Sequence, residues 1–252
     1  MRGSWARGAV VLVAAALLAG CGGSSSPAAD QAPTTQPEQP STTTTVMPAT
    51  TTSTVLPDPR LAEVGNAGQV VVVTAGRYGS TTATLTAYER AGDGWRRAFG
   101  PWPAGVGNRG IAPPGEKREG DGRTPSGVYG FDFFFGVAPD PGVRFPYRRI
   151  TSRSIVWDDD PASPLYNTWV DLDRQRAGAE PEPMYTTPAY DHGAVIAYNT
   201  ARTPGLGSAI FLHVSTGGPT AGCVSLPASQ LVEVLRWLDP SRDPRIVLGV
   251  AA

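Results

Sequence analysis

The stretch from Phe211 to Pro227 reads FLHVSTGGPTAGCVSLP. It begins as a short apolar strand, passes through a loop of glycine, proline and small polar residues, and ends just ahead of a segment with helical spacing. It contains His213, one of two histidines in the chain, and Cys223, one of two cysteines. The fold of this stretch therefore decides whether a thiol and an imidazole lie beside each other.

Strand signals dominate the chain on both sides of this stretch. Short β-branched or alternating runs separated by Gly, Pro and Asp predict a mainly β domain, sandwich-like or barrel-like, with one or two short helices. A tight turn at 91–94 predicts a hairpin between the second and third runs. The predicted strands are 69–74, 82–90, 95–99, 128–135, 154–157, 168–172, 194–198, 209–214 and 245–250.

One segment has helical spacing instead of strand spacing. Residues 227–239 (PASQLVEVLRWLD) place four apolar side chains on one face. The proline that opens the segment suits a first helical position, and Asp239-Pro240 ends the run. Cys223 is thus expected in the turn between a strand and this helix, where the helix dipole would lower the pKa of its thiol.

The N-terminal part of the chain has the composition of an export signal. Residues 1–7 carry two arginines and no acid, and residues 8–20 are nearly all Ala, Val and Leu, a run too short to span a membrane. The run ends in Leu18-Ala19-Gly20-Cys21, which resembles the lipobox of bacterial lipoproteins. Residues 1–21 are therefore predicted to be a lipoprotein signal peptide with Cys21 lipidated. An ordinary secretion signal cleaved near Ala19 is the alternative.

The composition changes again after the lipobox. Residues 22–60 are rich in Ser, Thr and Pro and poor in large apolar side chains, which predicts a disordered tether. Residues 61–252 then form one domain long enough to bury a core. The formal net charge of −1, without a basic stripe, argues against a nucleic-acid partner. The anchor and tether predict a membrane-attached protein on the extracytoplasmic face.

Cys223 and His213 are the candidate catalytic residues. If Cys21 is lipidated, Cys223 is the only free thiol of an exported chain, so it is either reactive or buried and inert. A thiol acts as a nucleophile when a base lies within hydrogen-bond reach, and the loop can bring His213 there. Gly222 would let the N–H groups of Gly222 and Cys223 face an oxyanion. These residues predict covalent acyl transfer; a core histidine is the alternative for His213.

The other groups that could react or bind a metal give weaker indications of a functional site. One free thiol and two histidines cannot form a zinc cluster of the structural type, so neither a metal nor another cofactor is predicted. The run Asp158-Asp159-Asp160 is interpreted as a solvated turn. His192 is interpreted as a loop residue and is the alternative candidate for the base.

Two motifs together resemble the L,D-transpeptidases of the YkuD type. His213 followed by Thr220-Ala221-Gly222-Cys223-Val224 is similar to the family's histidine, variable stretch and Ser/Thr-x-Gly-Cys. Residues 117–129 (KREGDGRTPSGVY) are similar to the family's Lys-x-x-Gly-Asp-x-x-Thr-Pro-x-Gly segment. The resemblance covers roughly residues 105–249. The loop is shorter than usual, and Val214, Ala221 and Ser225 depart from the family pattern, so the chain resembles a divergent member.

The resemblance implies a reaction on peptidoglycan in the cell wall. Cys223 would attack a carbonyl of a stem tetrapeptide, His213 would move the proton, and the amine of a neighbouring stem would complete a 3-3 cross-link. Water as the acceptor would make the protein a carboxypeptidase or another amide hydrolase, and loss of activity would leave a wall-binding lipoprotein.

Three further residues are candidates for binding the substrate. Arg123 would bind a peptide carboxylate through its guanidinium group, with a structural ion pair as the alternative. Tyr198 and Asn199 would line the substrate groove, with core positions as the alternative.

Overall fold

The computed structural model describes residues 58–251, which form a mostly β domain as the sequence predicts. This part of the chain contains two sheets and one α-helix, α1 (Ala228–Trp237). The strands are β1 Gln69–Ala75, β2 Thr82–Ala91, β3 Gly94–Gly105, β4 Gly127–Tyr129, β5 Phe131–Gly136, β6 Tyr147–Arg149, β7 Ile155–Asp158, β8 Thr168–Asp171, β9 Glu182–Pro183, β10 Gly193–Ile196, β11 Phe211–Val214, β12 Val224–Leu226 and β13 Arg245–Val250.

The large sheet has ten strands in the order β4-β13-β1-β2-β3-β12-β11-β10-β5-β6, and the small sheet has the order β8-β7-β9. Strand β1 runs parallel to β13 and antiparallel to β2. Its four consecutive valines are all buried, because this strand is covered on both faces.

The large sheet curls around one apolar core. The pairing of β2 with β3 shifts register on either side of Ala87, an irregularity that bends both strands. Val73 of β1 and Leu212 of β11, which lie in different halves of the sheet, consequently belong to the same buried cluster. Helix α1 covers this cluster with Leu231, Val234 and Leu235 among its buried residues.

A second, aromatic cluster lies between the large sheet and the small one. The Trp157 ring of β7 meets the Phe211 ring of β11 edge-on with centroids 5.0 Å apart. Phe135 of β5 packs against the same ring at 5.2 Å, and Cys223 belongs to this cluster. The face of β11 opposite α1 is therefore also buried.

Several predicted boundaries were wrong. The single strand predicted at 128–135 is two strands, β4 and β5, which pair with β13 and β10 respectively. The chain changes partner at Gly130, where an added Cβ would lie 3.1 Å from the guanidinium of Arg245. The hairpin is confirmed, although β3 extends six residues beyond the predicted end at residue 99. In α1, Pro227 is the N-cap residue rather than the first helical residue.

The predicted signal peptide with Cys21, and most of the predicted tether, lie outside the described residues. Asp58 to Arg60, which the sequence assigns to the tether, take part in a 3-10 helix over Pro59–Glu63. The Asp58 carboxylate accepts a hydrogen bond from the Arg60 backbone and forms an ion pair with its guanidinium at 2.7 Å. No helix within residues 58–251 has the length and apolarity needed to cross a membrane.

Candidate active site

The pairing of β11 with β12 brings the two candidate catalytic residues to one face. The strands are parallel, with Leu212 opposite Val224 and His213 opposite Ser225. Because side chains alternate along a strand, His213 and Cys223 point away from the face that α1 covers. Both residues line one cavity of about 310 Å³. The structure thus places the thiol and the imidazole in the same cavity.

The cysteine loop, residues 215–223 between β11 and β12, is held in place by hydrogen bonds to the Cys223 carbonyl. This oxygen accepts hydrogen bonds from Thr220 Oγ1 at 2.7 Å and from Thr124 Oγ1 at 3.2 Å. Thr124 is fully buried, lies in the KREGDGRTPSGVY segment, and accepts a hydrogen bond from Gly107 N–H at 2.9 Å. The upstream motif therefore supports the loop that carries the nucleophile.

Gly222 has a steric role in the same loop. Its φ is +156°, and an added Cβ would lie 3.0 Å from the carbonyl oxygen of Arg123. Only glycine fits this conformation and this contact without a shift. Its N–H group donates to Thr220 Oγ1 at 3.1 Å. The Gly222 N–H is thus engaged within the loop in this structure, whereas an oxyanion contact of the Cys223 N–H stays a prediction.

The thiol is held by the backbone of the neighbouring strand. Cys223 Sγ accepts a hydrogen bond from Phe211 N–H at 3.3 Å and donates one to the Ala209 carbonyl at 3.2 Å. The residue is 7% exposed. Burial raises the pKa of the Cys223 thiol well above its ordinary value, and the charge of Glu182 raises it further. The thiol is neutral in this arrangement.

The prediction that a helix dipole lowers the pKa of Cys223 was wrong. Strand β12 separates Cys223 from the start of α1, so the thiol is not part of the first helical turn. A helix dipole acts within about one turn of its end. Burial is the dominant influence on this thiol.

The imidazole is oriented by the next residue in the chain. His213 Nδ1 lies 2.9 Å from the Val214 carbonyl, so Nδ1–H donates there and Nε2 is left as the basic nitrogen. The Tyr190 ring packs perpendicular to the imidazole at 5.5 Å. Burial lowers the pKa of His213, which keeps the ring neutral and able to accept a proton. Within residues 58–251, no hydrogen bond joins His213 to Cys223.

Three carboxyl side chains line the same cavity, and sequence reasoning missed their part in it. This acidic wall consists of Glu119, Asp159 and Glu182. Burial raises the pKa of Glu182 to about 7 and that of Asp159 to about 6, and nearby negative charges add to both increases. Positions 119, 159 and 182 are far apart in sequence, so only the fold brings them together.

Neutral hydroxyl groups hold two of these carboxylates. Glu182 accepts a hydrogen bond from the Tyr190 hydroxyl. Glu119 accepts one from the Tyr166 hydroxyl and another from Ser208 Oγ at 2.8 Å. In the part of the chain that the structure describes, none of the ion pairs involves an acidic-wall residue.

The interpretation of Asp158-Asp159-Asp160 as a solvated turn was wrong for two of the three. Asp158 is fully buried and accepts hydrogen bonds from Ser163 Oγ at 2.6 Å and Gly178 N–H at 2.9 Å. Asp159 faces the cavity. Asp158 is the last residue of β7, and the loops that follow enclose its side chain.

The remaining sequence-predicted residues lie outside this cavity. Arg123 is half-buried, and its backbone N–H donates to the Asp121 carboxylate. Its side chain does not line the cavity, and its guanidinium takes part in none of the ion pairs among residues 58–251. His192, the alternative base, lies 3.2 Å from the Tyr147 hydroxyl and also outside the cavity.

Tyr198 and Asn199 support a loop rather than the cavity wall. The Tyr198 hydroxyl donates to the Leu206 carbonyl at 2.6 Å. The Asn199 side chain donates to the carbonyls of Thr203 at 3.0 Å and Gly207 at 2.9 Å. These bonds fix the course of residues 199–207, which lead into the chain beside Cys223. Their contribution to the site is therefore to position this segment.

No group of three or more His, Cys, Asp or Glu side chains among residues 58–251 is arranged to hold a metal ion. The carboxyl groups of the acidic wall are thus not placed for joint chelation.

Comparison with known proteins adds a family match. The sequence model described as YkuD, L,D-transpeptidase catalytic domain, matches residues 70–247, a range that contains both motifs. No curated protein matches the chain. Among solved structures, the crystal structure of the helical cell shape determining protein Pgp2 from Campylobacter jejuni is similar, with 16% identity and a TM-score of 0.36. The match covers 76% of this chain and 54% of the Pgp2 chain, so this chain spans about half the length of Pgp2.

Proposed function

Because the chain belongs to the YkuD family of L,D-transpeptidase catalytic domains, which act on peptidoglycan, we propose that it cross-links stem peptides through an acyl-enzyme on Cys223. The observation that supports this most is the shared cavity. Cys223 and His213 come from adjacent parallel strands and line the same space. A nucleophile and a neutral base in one enclosed site are the requirements of covalent acyl transfer.

The first step forms a thioester. His213 Nε2 takes the thiol proton, which requires Cys223 to release its hydrogen bond to Ala209. The sulfur then attacks the carbonyl carbon of an L-residue in the stem tetrapeptide. The S–C bond forms, the C–N bond to the terminal D-residue breaks, and the imidazolium returns the proton to the leaving amine. The peptide bond itself carries the acyl group, so this step consumes no nucleotide.

The second step forms the cross-link. The amine of a neighbouring stem attacks the thioester carbon and gives a proton to His213. A new C–N bond forms, the S–C bond breaks, and the sulfur leaves as a thiolate that recovers the proton from the imidazolium. The product is a 3-3 cross-link, and the enzyme is restored to its starting state.

A second candidate is an inactive wall-binding protein, and the buried thiol is the observation that favours it. Cys223 is 7% exposed and donates to a backbone carbonyl. If the sulfur never leaves that arrangement, the domain binds peptidoglycan without acylation. Labelling of Cys223 by a carbapenem, which acylates reactive active-site thiols, separates the two candidates.

Product analysis tests the proposal. The purified protein is incubated with muropeptides and the products are identified by mass spectrometry, with Cys223→Ala as the control. Dimers with 3-3 linkages that depend on Cys223 support the cross-linking reaction. Tripeptides without dimers mean that water is the acceptor. Unchanged muropeptides, together with no carbapenem labelling, favour the wall-binding protein.

The proposed location follows from the N-terminal sequence. We place the domain outside the cytoplasm, attached to the cell membrane through a lipid on Cys21 and reaching into the wall. Two or more acyl chains hold a protein firmly, since each buried CH₂ contributes about 0.8 kcal/mol. Incorporation of labelled palmitate that is lost in Cys21→Ser, and retained in Cys223→Ser, supports this placement. Equal incorporation in wild type and Cys21→Ser rejects it.

A further inference from the structure

Ala209 has an unusual backbone conformation two residues before strand β11. Its φ is +53°, in the left-handed region, although its side chain is that of an ordinary L-amino acid. Such a residue is strained and persists only where the surrounding structure holds it. Ala209 is buried and lines the cavity that contains Cys223. The strain therefore lies beside the proposed nucleophile.

This conformation brings two backbone groups to one sulfur atom. The Ala209 carbonyl accepts the Cys223 thiol at 3.2 Å, and the Phe211 N–H donates to the same sulfur at 3.3 Å. These two groups form the sulfur cradle, and the torsion angles of Ala209 set the direction of both. Among residues 58–251, the Phe211 N–H is the one group that donates a hydrogen bond to this sulfur. It is therefore the group that stabilises the thiolate once the proton has left.

The side chain of Asn167 holds Ala209 by its N–H group. The Asn167 Oδ1 accepts the Ala209 N–H at 3.2 Å and the Trp157 Nε1–H at 3.0 Å. The Asn167 Nδ2 donates to the carbonyls of Tyr198 at 3.2 Å and Asn199 at 3.1 Å. Both amide hydrogens and both acceptor positions of the side chain are thus in use, which fixes its orientation.

Asn167 acts from outside the cavity of the reacting groups. It lines a separate cavity of about 350 Å³ and is absent from the wall around Cys223 and His213. Its partner Trp157 is 5% exposed and packs edge-on against Phe211. The amide is therefore anchored to the same aromatic cluster from which the N–H of the sulfur cradle comes.

Other left-handed residues surround this amide. Six residues other than glycine have a positive φ within 58–251, and hydrogen bonds join four of them, at positions 167, 199, 202 and 209. Asn167 bonds to Asn199 and Ala209, and the Asn199 carbonyl also accepts the Arg202 N–H at 2.8 Å. Strain that persists is held by its surroundings and is often concentrated at functional sites. Here the strained residues meet at the side chain of Asn167.

We propose that Asn167 is a positioning residue for the nucleophile: through Ala209 it holds the sulfur cradle in place and keeps the Phe211 N–H on the sulfur as the thiolate forms. This inference rests on the proposed function, because it concerns the nucleophile of that reaction. It adds a residue that neither sequence motif contains. Asn167 reaches the sulfur only through Ala209 and touches no reacting atom.

The two hydrogen bonds of the sulfur cradle have unequal strengths. The S–H group is a weak donor, whereas a hydrogen bond to an ionised acceptor is about twice as strong as one between neutral groups. Loss of the sulfur cradle therefore costs the thiolate more than it costs the thiol. Without the amide of Asn167, the pKa of Cys223 is expected to rise and the sulfur to react more slowly.

The first test measures the sulfur without any peptide. The rate of Cys223 alkylation by iodoacetamide is followed at pH 7.5 in the full-length protein. Asn167→Gly removes the amide, and glycine keeps the left-handed conformation accessible at position 167. Its rate is expected to be about tenfold below that of wild type, which corresponds to a rise of one unit in the thiol pKa. The charges of Glu182 and Lys117 act on the thiol in both proteins, so the difference reports the sulfur cradle.

Matched variants control for the substitution itself. Asn66→Gly makes the same change at an exposed position outside both cavities and should alkylate at the wild-type rate. Asn167→Ser, whose hydroxyl is one bond too short to reach Ala209, is the second variant if Asn167→Gly does not fold, and the same loss is expected. A rate equal to or above that of wild type, in the position-167 variant that folds, overturns the inference.

A second substitution separates positioning from a general loss of stability. Glycine takes the left-handed conformation without strain, so Ala209→Gly should need the amide of Asn167 less. In the Ala209→Gly background, removal of this amide should slow alkylation by less than about threefold, against about tenfold in the wild-type background. A merely structural role of Asn167 gives the same loss in both backgrounds. Equal losses therefore overturn the inference.

Acylation by a stem tetrapeptide gives a further readout. Because Asn167 lies outside the cavity, KM should keep its wild-type value in Asn167→Gly, while kcat falls about as far as the alkylation rate does. A raised KM with an unchanged kcat would mean that Asn167 shapes the substrate site, and overturns the inference. If wild type is not acylated at all, the proposed function fails, while the alkylation rates still decide the role of Asn167.

Discussion

The two faces of strands β11 and β12 use the same backbone for different purposes. The face toward α1 presents only hydrocarbon, and the opposite face presents an imidazole, a thiol and a hydroxyl. The first set is Leu212, Val214, Val224 and Leu226, and the second is Phe211, His213, Cys223 and Ser225. The alternation of side chains along a strand separates the residues that hold the domain together from those proposed to react.

Burial has opposite consequences on the two faces. Toward α1, removal of apolar surface from water stabilises the fold. On the reactive face, burial favours the neutral forms of His213, Cys223 and Glu182. It lowers the pKa of His213 and raises those of Cys223 and Glu182. The resting site therefore consists of a neutral base and a neutral thiol. Proton transfer from Cys223 to His213 creates a thiolate and an imidazolium, and both charges must be stabilised before the reaction begins.

The largest expected effect is on the reactive face. His213→Ala removes the base that takes the thiol proton, so the acylation rate should fall about 10²–10⁴-fold, the usual contribution of a general base. Stopped-flow mixing with a stem tetrapeptide measures this rate. His192→Ala, which changes the histidine outside the cavity, should leave the rate unchanged. Acylation of His213→Ala at the wild-type rate contradicts the assigned base.

The next effect belongs to the face toward α1. Leu235→Ala leaves a cavity in the core and should lower the free energy of unfolding by about 2–5 kcal/mol. Urea denaturation measures this change. The folded variant should still alkylate at Cys223 at the wild-type rate, because Leu235 does not line the reactive cavity. Altered thiol reactivity in the folded variant would show that the two faces are coupled.

A smaller effect is a pH dependence of the stability that arises from Glu182 in the reactive cavity and has no counterpart on the apolar face toward α1. The folded pKa of Glu182, about 7, lies above its ordinary value of 4.5, so the folded state retains this proton while the unfolded state has already lost it. The protonated carboxyl stabilises the folded state fully below about pH 4.5. As the pH rises from about 4.5 to about 7, this contribution to the free energy of unfolding is lost, and it amounts to about 3 kcal/mol.

Glu182→Gln removes this dependence. Its melting temperature should exceed that of wild type at pH 8, and the difference should shrink toward pH 4.5. Differential scanning calorimetry across this range gives the comparison, with Glu233→Gln as the control. A difference that is constant with pH would mean that Glu182 does not titrate in the folded state as described.

The smallest expected effect concerns the support beneath the cysteine loop. Thr124→Val keeps the side-chain shape but leaves the Gly107 N–H without its acceptor and the Cys223 carbonyl with one donor fewer. A loss of about 1–2 kcal/mol in the free energy of unfolding is expected. Chemical denaturation measures it against Thr200→Val, an exposed control. Equal stability of the two variants would show that this hydroxyl does not support the loop.

The sequence predicted the features that lie close together along the chain. The strand ending in His213, the turning loop and Gly222-Cys223 occupy one short stretch, so their meeting required only local geometry. The β class followed from repeated short strands and turn residues. The upstream motif supports the loop that carries Cys223 through the hydrogen bonds of Thr124, a role that the family resemblance alone does not specify.

The sequence did not predict features that depend on distant pairing. Glu182 reaches the cavity because the two-residue strand β9 pairs with β7, and two residues carry no periodic pattern. Strand β12 is three residues long and runs directly into the proline before α1, so its sequence predicts a turn and not a strand. The charge of Arg123 predicts a carboxylate partner, but charge does not specify which way a side chain points.

The central claim is that the sulfur of Cys223 is open to acylation despite its burial. The most direct measurement is intact-protein mass spectrometry after brief mixing with a stem tetrapeptide and an acid quench. Wild type is expected to gain a mass equal to the tripeptide acyl group, located on Cys223, and Cys223→Ala is expected to gain none. Consumption of the tetrapeptide by Cys223→Ala, or the absence of any adduct on a wild-type protein whose thiol alkylates readily, would contradict it.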